Sequence, residues 1–244
     1  MNKYELTSET RNCGEHVLHR IRALRDIVVG EYIITKAGDL GGWIEKEDNL
    51  PQEGDAWVFG DAWVFGDARV FGNAWVYDNA WVYDNARVCG DARVYGNARV
   101  FGDAWVYDNA RVYGDARVYG DAWVYDNAWV YDNARVCGNA WVYDNAWVYD
   151  NARVCGDARV CGDARVELCY DCMTVGPIGS RNGTTTFFRD KNGIEVTCGC
   201  FHGSIDDFEQ RVTSVHGDSR HGRAYRAAIA LAREQIRDDT AASE

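Results

Sequence analysis

The stretch from Asn139 to Gly156 reads NAWVYDNAWVYDNARVCG, one six-residue phrase said three times. The phrase opens on Asn or Asp and continues with Ala, then Trp or Arg, then Val. It ends on Tyr, Phe or Cys followed by Gly or Asp. Ala and Val alternate with the larger residues, the period of two that marks a strand. Neighbouring side chains on a strand point to opposite faces, so Ala and Val share one side and the large residues the other. Gly or Asp followed by Asp or Asn is turn chemistry. A four-residue strand and a two-residue turn, repeated without pause, do not make hairpins, because the buried face would have to alternate. They make a solenoid in which each phrase is one side of a coil.

Outward from this stretch, the phrase recurs nineteen times from Asp55 to Val166. An Ala or other small residue two before each Val, with a Gly or Asp turn between, resembles the hexapeptide pattern of left-handed parallel β-helices. The resemblance covers all nineteen hexads. It implies three hexads per triangular coil, and it alone supplies the handedness. Nineteen hexads make a little over six coils, a prism roughly 30 Å long at about 4.8 Å per coil. The expected fold is all-β: a three-sided left-handed parallel β-helix of about six coils, with an N-terminal β cap and a small C-terminal α+β module. The only prolines, Pro51 and Pro177, lie near changes of composition. They suggest boundaries that give a cap over 1–54, the array over 55–168 and the module over 169–244.

An 18-residue coil sorts the outward residues into columns. The first face carries Trp57, Trp75, Arg93, Arg111, Trp129, Trp147 and Arg165. The second runs Trp63, Trp81 and then an Arg column, Arg99, Arg117, Arg135 and Arg153. The third holds a Trp column, Trp105, Trp123 and Trp141, with Tyr107, Tyr125 and Tyr143 beside it. Seven of the nine Trp hexads end in Tyr-Asp and none of the ten Arg hexads does, so Asp108, Asp126 and Asp144 rim the Trp column. One edge is therefore aromatic and acidic and another face basic. Two plainer accounts stand beside a binding surface. Stacked outward aromatics add about 0.5–1.5 kcal/mol per pair to thin coils. Trp/Arg, Tyr/Cys and Gly/Asp are also single-nucleotide neighbours, as recent duplication of a six-codon unit would leave them.

A solenoid needs its open coils covered. In HVLHRIRALRDI, strand spacing puts Val17, Ile21, Ala23 and Ile27 on one side. Gly38, Gly41 and Gly42 allow sharp turns in the lead-in that follows. LGGWIE and NLPQEGDAWV resemble the start of uncharacterised hexapeptide-repeat proteins of enteric bacteria and phages, over about residues 18–60. Beyond the array, TTTFFRD, KNG and IEVTCGCF read as a hairpin with an Asn-Gly turn. Ser204 suits an N-cap for a helix burying Ile205, Phe208, Val212 and Val215, and a second helix is expected over 221–237 with DDTAASE as a frayed tail. GCFHGSIDDFEQRV resembles a small module of phage-encoded proteins, without implying an activity.

The net charge of −12 argues against direct binding to nucleic acid, which needs basic patches. No run of 18 apolar residues is present, so no membrane span is expected. The opening MNKYELTSET lacks the apolar core of a secretion signal, and nine cysteines then point to free thiols in the reducing cytoplasm of a bacterial or phage-infected cell. Cys169 and Cys172, with Cys198 and Cys200, have the residue types of a zinc site, but the second pair is one residue too tight. No metal or other cofactor is expected. A Cys200–His216 nucleophile pair lacks any third orienting group. Acyl transfer is the enzymatic alternative, because hexapeptide β-helix enzymes use a histidine base near a loop projecting from the coils. Here His16, His19, His202, His216 and His221 all lie outside the array, which has no inserted loop. An acidic decoy of nucleic acid is a second alternative, though the Arg column spoils a uniform acid surface. The reading adopted is a non-enzymatic scaffold that binds through its ladders, as a dimer or trimer or to a host protein.

Overall fold

The computed structural model describes residues 2–29 and 31–236. The strands β1 (Tyr4–Cys13), β2 (His16–Ala23), β3 (Ile27–Val29), β4 (Tyr32–Thr35) and β5 (Leu40–Ile44) precede the repeats. Nineteen two-residue strands follow, from β6 (Trp57–Val58) to β24 (Arg165–Val166), each the Trp-Val or Arg-Val of one hexad. They form three parallel faces. Trp57 pairs with Trp75, Trp63 with Trp81 and Arg69 with Arg87, each one coil on. Every Ala and Val of the hexads is fully buried, so the interior is a column of small and β-branched side chains. The chain is a three-sided parallel β-solenoid.

The solenoid has about one turn more than the little over six read from the hexads. Trp43 and Ile44 in β5 pair in parallel with Trp63 and Val64, so the second face starts in LGGWIE. The offset is 20 residues rather than 18, which hides the extra turn from a strict period. β1, β2 and β5 continue that face as an antiparallel sheet. In β2 the register shifts between Arg20 and Arg22. Leu18 is buried, whereas Val17, expected inside, is 46% exposed.

Each coil donates backbone N–H groups to the carbonyls of the next, which leaves the first coil with open carbonyls and the last with open N–H groups. The three faces of the first coil are closed by three different donors. Lys3 Nζ reaches the Ala56 carbonyl at 3.1 Å, Trp43 N donates to Ala62 at 2.9 Å, and Asn49 Nδ2 donates to Ala68 at 2.8 Å. At the far end Thr186 Oγ1 accepts from Arg159 N at 3.0 Å, and Asp171 Oδ2 accepts from Glu167 N and Leu168 N. Side chains thus stand where a further rung would lie.

The turns explain the Gly/Asp choice. The closing residue of a hexad is left-handed, as in Gly102 at φ 71° and Asp126 at φ 55°. Gly and Asp are among the residues that tolerate this conformation. Asp adds a bond between coils: Asp144 Oδ2 accepts from Gly162 N at 3.1 Å, and Asp84 Oδ2 from Gly102 N at 3.2 Å. Nothing in the turn geometry accounts for Asp following Trp hexads alone.

After the array come β25 (Cys172–Ile178), β26 (Gly183–Asp190), β27 (Gly193–Cys198) and β28 (Phe201–Ser204), an antiparallel sheet with α1 (Ile205–His216) and α2 (Arg220–Gln235) packed on it. The expected hairpin is β26–β27, and Ser204 Oγ accepts from Asp207 N as the N-cap of α1. Val215, expected on the buried face of α1, is 59% exposed, since the packed stripe ends with Val212. The expected tail, 238–244, lies outside the described residues. Among the described residues no helix is long and apolar enough to cross a membrane.

Candidate functional site

The period stacks the outward rings. Trp105, Trp123 and Trp141 are partners on successive coils, with ring centroids 5.7 and 5.3 Å apart. Tyr107, Tyr125 and Tyr143 stack beside them at 4.9 and 5.1 Å. The two columns interlock edge to face, as between Tyr107 and Trp123 at 6.1 Å and 80°. Round the corner Trp129 and Trp147 stack at 5.3 Å. All eight side chains are half-buried, covered above and below by their own column and open outward. The sequence-derived strip is therefore assembled as a continuous surface.

The sequence treats Trp and Arg as opposites, but the structure uses them alike. At each of the six Trp/Arg junctions in the columns the guanidinium lies over the indole. The pairs Arg87–Trp105, Arg93–Trp75, Arg99–Trp81, Arg111–Trp129, Arg159–Trp141 and Arg165–Trp147 span 4.2–5.0 Å. Both groups are planar and stackable, and a cation over an indole is favourable. One outward position therefore accepts either residue. The partner pairings also confirm Arg99, Arg117, Arg135 and Arg153 as one column.

Crowding between rings and carboxylates acts on the phenols. Burial first, then Asp108 and Asp126, pushes Tyr107 up to about 12, and burial with Tyr113 and Tyr149 does the same for Tyr131. Tyr125 and Tyr143 rise further for the same first reason. An unfolded phenol ionises near pH 10. Above that pH the unfolded chain has released protons that the folded ladder still holds, so stability falls as pH rises. The melting temperature is expected to hold below pH 10 and drop steadily between pH 10 and 12. A flat profile to pH 12 would contradict the stacked, half-buried phenols.

The four cysteines weighed as a zinc site, Cys169, Cys172, Cys198 and Cys200, are distributed over different parts of the fold. Cys172 packs against the solenoid core and Cys198 against the core of the C-terminal module, while Cys169 and Cys200 are exposed. Among the described residues no cluster of His, Cys, Asp and Glu is arranged to hold a metal. Burial, reinforced by Asp171, pushes the Cys172 thiol up to about 12. The expectation that all thiols stay free is corrected at one pair. Cys137 and Cys155 sit one coil apart with Cα atoms 4.6 Å from each other and are joined as a disulfide. The same 18-residue period that stacks rings brings these sulfurs together.

Sequence reasoning missed a groove of about 1160 Å³ between the last coils and the module. Trp141 and Arg159 line it from the solenoid, and Cys198, Cys200, His216 and Tyr225 from the module. Cys200 and His216 thus reach one groove, and Tyr225 stands between His216 and Cys198. Its ring stacks on His216 at 5.6 Å and its hydroxyl lies 3.7 Å from Cys198 Sγ. No hydrogen bond links a histidine to either thiol among the described residues. His16 and His19 lie in β2, far from this groove in the chain, and His16 Nδ1 pairs with Glu45 at 2.9 Å.

A family model described as the YdcK beta solenoid repeat matches residues 68–84 and, in overlapping stretches, 92–108, 104–120, 110–126, 116–132, 128–144 and 134–150. No curated protein matches the chain. With three stacked parallel faces and repeats of that type along them, the chain is a repeat β-solenoid protein similar to the YdcK beta solenoid family across much of its array.

Proposed function

We propose that the protein is a non-enzymatic scaffold that works by association, and that its aromatic edge is the contact surface, occupied by a second copy of the chain. The observation that carries this reading is the continuous half-open strip of Trp105, Trp123 and Trp141 with their Tyr neighbours, widened by Trp129 and Trp147. Trp and Tyr bury about 150–250 Å² each when covered, so a strip of this size exceeds what monomers usually leave open. An acidic rim, Asp108, Asp126 and Asp144, borders the apolar centre, as interfaces have. The outward positions repeat coil after coil, which makes a long surface rather than one distinct pocket. A structural role fits such a surface better than catalysis does.

The double variant W123R/W141R tests this. Arg already stacks on Trp105 and Trp141 from neighbouring rungs, so the coils are expected to survive. The wild-type chain is expected to scatter light as a multiple of 27.4 kDa, and the variant as a single chain with its β-sheet signal intact. A folded variant that keeps the wild-type mass would remove the strip from the interface.

A further inference from the structure

The Arg column makes no close ion pair along its face, although Asp115, Asp132 and Asp150 lie in the corner before it and Asp103, Asp121 and Asp157 in the corner after it. Arg99, Arg117 and Arg153 are exposed and Arg135 is half-buried. Among the described residues none of the four takes part in an ion pair. Only Arg99 of the four has an indole to lie on, Trp81 at 5.0 Å. Cations near the ends of the molecule are treated differently: Lys46 pairs with Asp67, Arg11 with Asp61, and Arg233 with Asp206 and Glu209. A row of like charges one coil apart repels itself, and an anionic row laid along it relieves that repulsion. The chain as a whole is strongly acidic, so this bare cationic row runs against its average.

A matching anionic row exists on the same molecule. Asp108, Asp126 and Asp144 stand one coil apart in the corner between the third face and the first, beside the Trp column. The backbone of the next coil fixes two of these carboxylates: Asp144 N donates to Asp126 Oδ2 and Gly162 N to Asp144 Oδ2. The other oxygen of each accepts no hydrogen bond from a described residue.

Resting on the reading that the Trp edge is a self-association surface, we propose what covers it: the Arg column of another copy, pairing with the Asp column along the solenoid axis. Both rows have the period of one coil, and the rise per coil is the same in every copy. Setting one Arg against one Asp therefore brings the neighbouring pairs into register, which an unrelated partner would match only by chance. The guanidiniums also gain indoles, the neighbour that Arg takes at every Trp junction within the chain. With four Arg against three Asp, two registers one coil apart pair every Asp, and any further slip forfeits a pair at the end of the row. The two surfaces differ and each copy carries one of each, so every contact sets the Arg row of one copy against the Asp row of another.

A contact between two different rows can be rebuilt by mixing two variants that each keep one row intact. R117E/R135E breaks the Arg row and leaves the Asp row; D108N/D126N/D144N does the reverse, and Asn keeps the left-handed turn. Each variant alone is expected to be a single chain of 27.4 kDa by light scattering, and an equimolar mixture to give a complex of two chains. The wild-type assembly is expected to dissociate in about 1 M salt, where screening shortens to about 3 Å. Either variant keeping the wild-type mass, a mixture that stays monomeric, or a wild-type mass indifferent to salt would overturn the pairing. If the charge variants still associate while W123R/W141R does not, the pairing alone fails. A monomeric wild type removes the self-association reading as well.

Discussion

Replacing Val124 with Asp is expected to unfold the solenoid. Val124 is fully buried at mid-stack, between Val106 and Val142 of the neighbouring coils. The interior around it holds only Ala and Val, with no donor to meet a carboxylate. Burying an unpaired polar or charged group costs several kcal/mol, and a whole domain is stable by only about 5–15 kcal/mol. In a solenoid each coil is held by its neighbours, so a broken coil in the middle releases those on both sides. The variant should be largely insoluble, or lose its β-sheet signal at temperatures where the wild type is folded. A soluble Val124→Asp protein with unchanged melting would mean that the hexad valines do not face inward.

The second large effect is expected at the joint between cap and array. Gly41 and Gly42 read in the sequence as turn residues, but neither has a left-handed φ. Their role is close approach. A Cβ on Gly42 would lie 2.6 Å from Val58 Cγ1 and 2.7 Å from the Ala62 carbonyl oxygen. That carbonyl accepts the bond from Trp43 N that joins β5 to the second face, so it cannot withdraw without opening the pairing. Overpacking of this kind typically costs about 1–3 kcal/mol, which for a domain of this size lowers melting by several degrees, at about 2–4 °C per kcal/mol. Gly42→Ala should also aggregate more readily, because the first coil's carbonyls become an open edge. Melting and solubility equal to the wild type would show that the cap does not need this approach.

What could be read from the chain and what could not divide along the repeat. The period of 18 places Arg117 under Arg135 and Trp123 under Trp141 by arithmetic, and the pairings agree. It fails where the period breaks. The offset of 20 between Trp43 and Trp63 conceals the first turn, and the buried side of β2 passes from Leu18 to Ile21, a break in the alternation that leaves Val17 outside. Contacts between Trp and Arg within a column were hidden for another reason. Sorting Trp and Arg as apolar and charged obscures that both are flat, so the stacking of Arg159 on Trp141 is visible only in three dimensions. The Cys137–Cys155 pair was legible from the spacing, but nine scattered cysteines pulled the reading toward free thiols. Spacing within each cysteine pair says nothing of where the two pairs lie, and the fold sends Cys172 and Cys198 to different cores.

Self-association through the ladders is tested most directly by the mass of the wild-type chain in solution. Light scattering across a dilution series, starting on the order of tens of micromolar, reads a mass that depends on protomer concentration if copies bind one another. The prediction is a multiple of 27.4 kDa at the top of the series that falls toward a single chain on dilution. A mass of 27.4 kDa at every concentration would contradict it.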